Sequence, residues 1–99
     1  MIILPKNQYK APELENLKII DISDSLIGNK YGIEFFKVIS GMDSIEEIYC
    51  NYNEIEDKKA QKEIFEYIEK NKNIKIFEFK GNEVNKALFK QYEKIKKII

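Results

Sequence analysis

Residues 45–55 read IEEIYCNYNEI, and two further stretches fall on the same template: LKIIDISDSLI over 17–27 and IKIFEFKGNEV over 74–84. Aligned without gaps, the three share apolar residues at the first, fourth, sixth and eleventh positions. These are Leu17, Ile20, Ile22 and Ile27, then Ile45, Ile48, Cys50 and Ile55, then Ile74, Phe77, Phe79 and Val84. The starts lie 28 and then 29 residues apart. Twelve apolar matches in a fixed register mean that internal repetition, not local propensity, decides the fold. The alternation around the fourth and sixth positions is that of a short strand with one buried face. The ninth position holds Ser25, Asn53 and Asn82 in turn.

Helical spacing fills the intervals. Gly32, Phe35, Phe36 and Ile39 fall at i, i+3, i+4 and i+7, an inward-facing stripe. Ala60, Ile64, Phe65 and Ile68 form the same stripe, while Lys58, Lys62, Glu63, Glu66 and Lys70 read as its solvent face. A third helix, from about Asn85, is predicted to place Leu88, Tyr92, Ile95 and Ile99 on one side and to close the array.

The period, the strand signature and the turn Ser-Leu-Ile-Gly-Asn-Lys-Tyr-Gly at 25–32 resemble ribonuclease-inhibitor-type leucine-rich repeats. Ran GTPase-activating proteins and tropomodulin-like proteins carry the same class. The resemblance covers Leu17 to about Tyr92 and implies a short α/β solenoid. Three parallel strands would line a concave face, each followed by a helix on the convex side. It also implies that Asn53 and Asn82 bond neighbouring backbone groups as the chain leaves each strand, with Ser25 a weaker substitute. The repeats are placed at about 17–44, 45–73 and 74–99, with residues 1–16 as an N-terminal lead-in and cap in which Met1–Leu4 pair with or pack on the first repeat. Members of the class typically carry more repeats than these three. No catalytic residue of any family is carried onto a position here.

Composition removes several functions. Lys+Arg 17 balances Asp+Glu 17, and every cation is a lysine, which argues against a dedicated nucleic-acid binder. The absence of histidine and the single Cys50 leave no His-based acid–base chemistry, no Cys/His zinc site and no internal disulfide. Cys50 reads as a small buried hydrophobe rather than a reactive thiolate, which would need a cationic, exposed setting. Glu46, Glu47, Glu54, Glu56 and Asp57 read as a solvated rim. A calcium loop would need a turn glycine, and 51–57 has none. Gly28, Gly32, Gly41 and Gly81 make no phosphate-cradling loop. Neither a membrane span nor a targeting segment is read in the chain, and the expected setting is cytoplasmic or nuclear. The expectation is a non-enzyme with no cofactor, no metal and no small-molecule substrate.

What remains is a surface. Period-two alternation points the residues between core positions out of the strand face. Stacking the strands gives the columns Ile19, Glu47, Ile76; Asp21, Tyr49, Glu78; Ser23, Asn51, Lys80; and Asp24, Tyr52, Gly81. The candidate partner-binding residues are Asp21, Ser23, Asp24, Glu47, Tyr49, Asn51, Tyr52, Ile76, Glu78 and Lys80. Tyrosine suits such a face because it buries a large area while keeping a polar tip. The expected function is a protein–protein interaction module, a small subunit or accessory factor of a larger assembly. Two alternatives stand beside it: a GTPase regulator resembling Ran GTPase-activating proteins, and a ribosome- or RNA-associated factor. The latter would use a helical stripe of Lys86, Lys90, Lys94 and Lys97; nucleic acid is the less favoured partner.

Overall fold

The computed structural model describes residues 16–99. All of the lead-in but its last residue, including the proposed cap at Met1–Leu4, lies outside the described residues. Strands β1 (Ile19–Asp21), β2 (Glu47–Tyr49) and β3 (Ile76–Glu78) form one parallel sheet in the order β1-β2-β3. Ile19 pairs with Glu47 and Glu47 with Ile76, so the register follows the 28- and 29-residue spacing of the sequence. Helices α1 (Gly28–Ile39) and α2 (Lys58–Lys70) follow β1 and β2; α3 (Lys86–Phe89) and α4 (Glu93–Ile98) follow β3.

The core forms between one face of the sheet and the helices. Ile20, Ile48 and Phe77 are fully buried, as are Phe36 of α1 and Ile64 and Phe65 of α2. Phe65 is its aromatic hub. Its ring meets Phe77, Phe79 and Tyr92 edge-on at centroid distances of 6.3, 5.8 and 5.6 Å. Where α1 meets the loop that leads into α2, Gly32 makes room: a Cβ there would lie 2.8 Å from Cδ1 of Ile55.

The loops that leave β2 and β3 are organised by two buried asparagines with matching bonds. Asn53 Nδ2 donates to the Ile22 carbonyl at 2.9 Å, and its Oδ1 accepts from the amides of Ser25 and Ile27. Asn82 Nδ2 donates to the Cys50 carbonyl at 2.9 Å, and its Oδ1 accepts from the amides of Asn53 and Ile55. Backbone groups that would otherwise be buried unpaired are satisfied in both places. Ser25 is exposed and its hydroxyl donates only to the nearby Ser23 carbonyl. A third polar side chain, Gln61 on the inner face of α2, bridges the same two loops. Its Nε2 donates to the carbonyls of Ile55, Asn82 and Glu83, and its Oε1 accepts from the Asn85 amide. The sequence pattern gave no reason to expect Gln61 inside.

One expectation is corrected. The segment after Asn85 is two short helices, not one. Asn85 caps α3 by accepting from the Leu88 amide at 2.9 Å, but Tyr92 adopts an extended conformation (φ −116, ψ 95) and separates α3 from α4. The break lets Tyr92 dock edge-on against Phe65 and sends Leu88 and Ile95 into the core, whereas Ile99 is left 44% exposed.

Candidate functional site

The face of the sheet opposite the helices carries the remaining side chain of each strand alternation. Asp21, Tyr49 and Glu78 stand in one register column, with Ile19, Glu47 and Ile76 in the next. All six are half-buried or exposed. The Tyr49 hydroxyl donates to Glu47 Oε1 at 2.5 Å. That bond, with desolvation and the nearby carboxylates of Glu47, Glu78 and Asp21, disfavours the phenolate and pushes Tyr49 up to about 12.

Past the strand ends, side chains take over the cross-linking. Asn51 donates through Nδ2 to Glu78 Oε1 at 3.0 Å and accepts the Lys80 amide on Oδ1 at 2.8 Å; its own amide donates to Ser23 Oγ at 3.0 Å. Asp21 Oδ1 accepts from the Ser23 amide at 2.9 Å. Asp24 and Tyr52 follow in the next column, their amides donating to the carbonyls of Asn51 and Lys80. The ten residues singled out from the sequence therefore share one surface. Of its polar side chains, Asp21, Ser23, Glu47, Asn51 and Glu78 are tied to other members of the surface by hydrogen bonds.

Beside Asp24 and Tyr52 the surface dips into an open hollow of about 500 Å³, lined by Asp24, Leu26, Tyr52, Glu54, Glu56 and Gly81. Its shape depends on backbone in the left-handed region. Asp24, Tyr52 and Gly81 have φ of 58, 56 and 71, and Leu26, Glu54 and Glu83 have φ of 50, 57 and 49. The Tyr52 ring lies directly on Gly81: a Cβ at Gly81 would stand 2.1 Å from Tyr52 Cδ1. Only glycine both permits that contact and adopts this φ without strain.

Leu26, Glu54 and Glu56 were not recognised as site residues from the sequence. Leu26 precedes Ile27, which packs partly buried against the core, and reads as part of the same apolar run, yet it is 72% exposed. The available signal was positional, since Leu26 stands where the other two segments carry Glu54 and Glu83.

Elsewhere the chemistry is structural. Cys50 is fully buried and its thiol is pushed up to about 12, chiefly by desolvation. Glu46 bridges Lys18 and Lys75 at 3.1 and 3.3 Å, and those bonds hold its carboxyl below the usual range. The lysine stripe does not form as one surface, because α3 and α4 are separate. Lys94 turns inward, its amine donating to the carbonyls of Ile68, at 3.2 Å, and Asn71, and burial lowers its pKa. Lys86, Lys90 and Lys97 remain exposed. Among the described residues no group of His, Cys, Asp and Glu is arranged to hold a metal ion, and no helix is long and apolar enough to cross a membrane.

The chain matches no family model, and neither a curated protein nor a solved structure is significantly similar to it.

Proposed function

We propose that the chain is a short leucine-rich-repeat solenoid of the ribonuclease-inhibitor type, acting as a non-enzymatic protein–protein interaction module within a larger assembly. The repeat reading is supported by the matching bonds of Asn53 and Asn82 and by the register of the parallel strands. The functional reading rests on one observation. The strand face presents an ordered array of tyrosines, carboxylates and amides that the core does not need. Tyr52 is 54% exposed, and Tyr49 sits on the middle strand with its hydroxyl already oriented by Glu47. A ligand crossing the face must cover both. A stable partner would need to cover about 800 Å² on each side.

The test is capture from native extract followed by mass spectrometry, with wild type and variants compared side by side. Tyr49→Ala combined with Tyr52→Ala is expected to abolish capture of the specific partner while leaving the thermal midpoint nearly unchanged. Central aromatics of this kind commonly contribute about 2 kcal/mol or more to binding. Lys62→Ala with Glu63→Ala, on the helix side, is expected to preserve both. A silent tyrosine pair, together with loss of capture on changing Lys86, Lys90 and Lys97, would move the working surface to the C-terminal segment.

A further inference from the structure

We propose that the hollow between the first two strand-to-helix loops receives a lysine- or arginine-bearing peptide segment of the protein partner, with an adjacent apolar side chain covering Leu26. The inference rests on the interaction reading above and narrows the chemistry of the partner.

Three properties of the hollow define its occupant. The first is its unbalanced charge. Asp24, Glu54 and Glu56 line it, no cation does, and none of the three takes part in an ion pair among the described residues. The adjoining strand face adds Asp21, Glu47 and Glu78, against which Lys80 is the lone cation of the candidate surface. A phosphate backbone or an acidic peptide would be repelled here, whereas a cation is drawn in from a distance.

The second is an apolar side chain placed where it gains nothing locally. Leu26 is held in the left-handed region with most of its surface in water, next to an aromatic ring that is itself more than half exposed. Together Leu26 and Tyr52 bring apolar surface into the lining of the acidic hollow. That combination suits the amphipathic stem of a long basic side chain and a hydrophobic neighbour better than a hydrated inorganic ion.

The third is preorganisation. Gly81 braces the Tyr52 ring from one side, so the ring lines the hollow in a fixed position and is available for a cation–π contact without further ordering. The hollow is open and sets carboxylates beside an exposed leucine, so a short segment carrying a cation next to an apolar residue meets both.

The experiment pans a phage-displayed random peptide library against the full-length chain, then measures the enriched peptides by fluorescence anisotropy. Binding is compared on wild type, Leu26→Ser, the triple variant Asp24→Asn, Glu54→Gln, Glu56→Gln, and Tyr49→Ala. The carboxamide changes are isosteric and lie on the surface, and asparagine tolerates the left-handed backbone at position 24. The thermal midpoint is expected to stay unchanged in Leu26→Ser and the triple variant, and nearly unchanged in Tyr49→Ala, which gives up the Glu47 bond. Enriched peptides should place Lys or Arg beside an apolar residue. The triple variant should weaken them by about tenfold or more, as loss of charge partners at an interface does, and Leu26→Ser by several-fold.

Enrichment of acidic or uncharged peptides, no enrichment at all, or binding indifferent to the triple variant would each overturn the proposal. So would concentration-dependent self-association abolished by the triple variant, which would make a second copy of the chain the occupant. If enriched peptides are lost on Tyr49→Ala yet keep their affinity for the triple variant, the hollow is ruled out and the strand-face reading survives. Partner capture that ignores the Tyr49/Tyr52 pair would instead remove that reading first.

Discussion

Two polar regions of this small domain are built from similar residues and behave in opposite ways. In the loop interior, Asn53 and Asn82 are fully buried, stand 29 residues apart and make the same set of bonds to the preceding segment. On the strand face, the residues that follow one another across the sheet differ at every step: Asp21, Tyr49, Glu78, then Ser23, Asn51, Lys80. Identity at equivalent positions marks a requirement of the backbone, because unpaired amides and carbonyls in the interior admit few solutions. Variety at equivalent positions marks a surface where no one side chain is required at every repeat, even though Asn51 and Ser23 still tie adjacent loops. The difference separates what holds the chain together from what is open to recognition.

The largest effects are therefore expected inside. Phe65→Ala removes the ring that joins Phe77, Phe79 and Tyr92, and should destabilise by about 3–5 kcal/mol in urea titration, as large-to-small core changes do. Asn82→Ala should follow closely, at about 3 kcal/mol, since it strips partners from the Asn53 and Ile55 amides and from the Cys50 carbonyl at once. A cost below about 1 kcal/mol for Asn82→Ala would erase the distinction between the two regions.

Gly81→Ala probes the boundary between them. The added methyl group must displace the Tyr52 ring and occupy a left-handed conformation, so a loss of about 2 kcal/mol is expected, with the ring-proton NMR shifts of Tyr52 reporting the displacement. The smallest effect belongs to the surface itself and appears only in alkali. Tyr49 is neutral when bonded to Glu47, and its folded pKa lies above the ordinary value of 10. Its contribution is fully present below pH 10 and is lost as the pH rises toward about 12. Cys50 acts in the same sense, from 9 toward about 12, so the comparison is made in a Cys50→Ala background. There, Tyr49→Phe should flatten the fall of the thermal midpoint between pH 10 and 12 relative to its parent. An unchanged slope would show that the Glu47 contact is not kept in solution.

How much of this was legible follows from the same contrast. The three apolar quartets, the strand register and the polar ninth position were readable because each recurs, and recurrence survives without knowledge of contacts. The grouping of Asp21, Tyr49, Asn51 and Glu78 on one face followed from strand alternation. Non-recurring features were hidden. Leu88, Tyr92, Ile95 and Ile99 have helical spacing whether or not the helix is broken. The break goes with contacts distant in sequence, Tyr92 meeting Phe65 and Lys94 reaching the carbonyls of Ile68 and Asn71. Leu26 turns outward because of a left-handed φ that nothing in a Leu-Ile pair announces. Gln61 looks like any polar helix residue until its carboxamide is seen joining two loops.

The most direct test of the division between scaffold and recognition surface is a saturation library over residues 17–99, sorted once for folding stability and once for capture of the identified partner. Positions 53, 61, 65 and 82 are expected to fail in both sorts. Tyr49, Tyr52 and their neighbours on the strand face should tolerate substitution in the first sort and fail in the second. A capture map that merely repeats the stability map, or one whose specific losses centre on Lys86, Lys90 and Lys97, would contradict it.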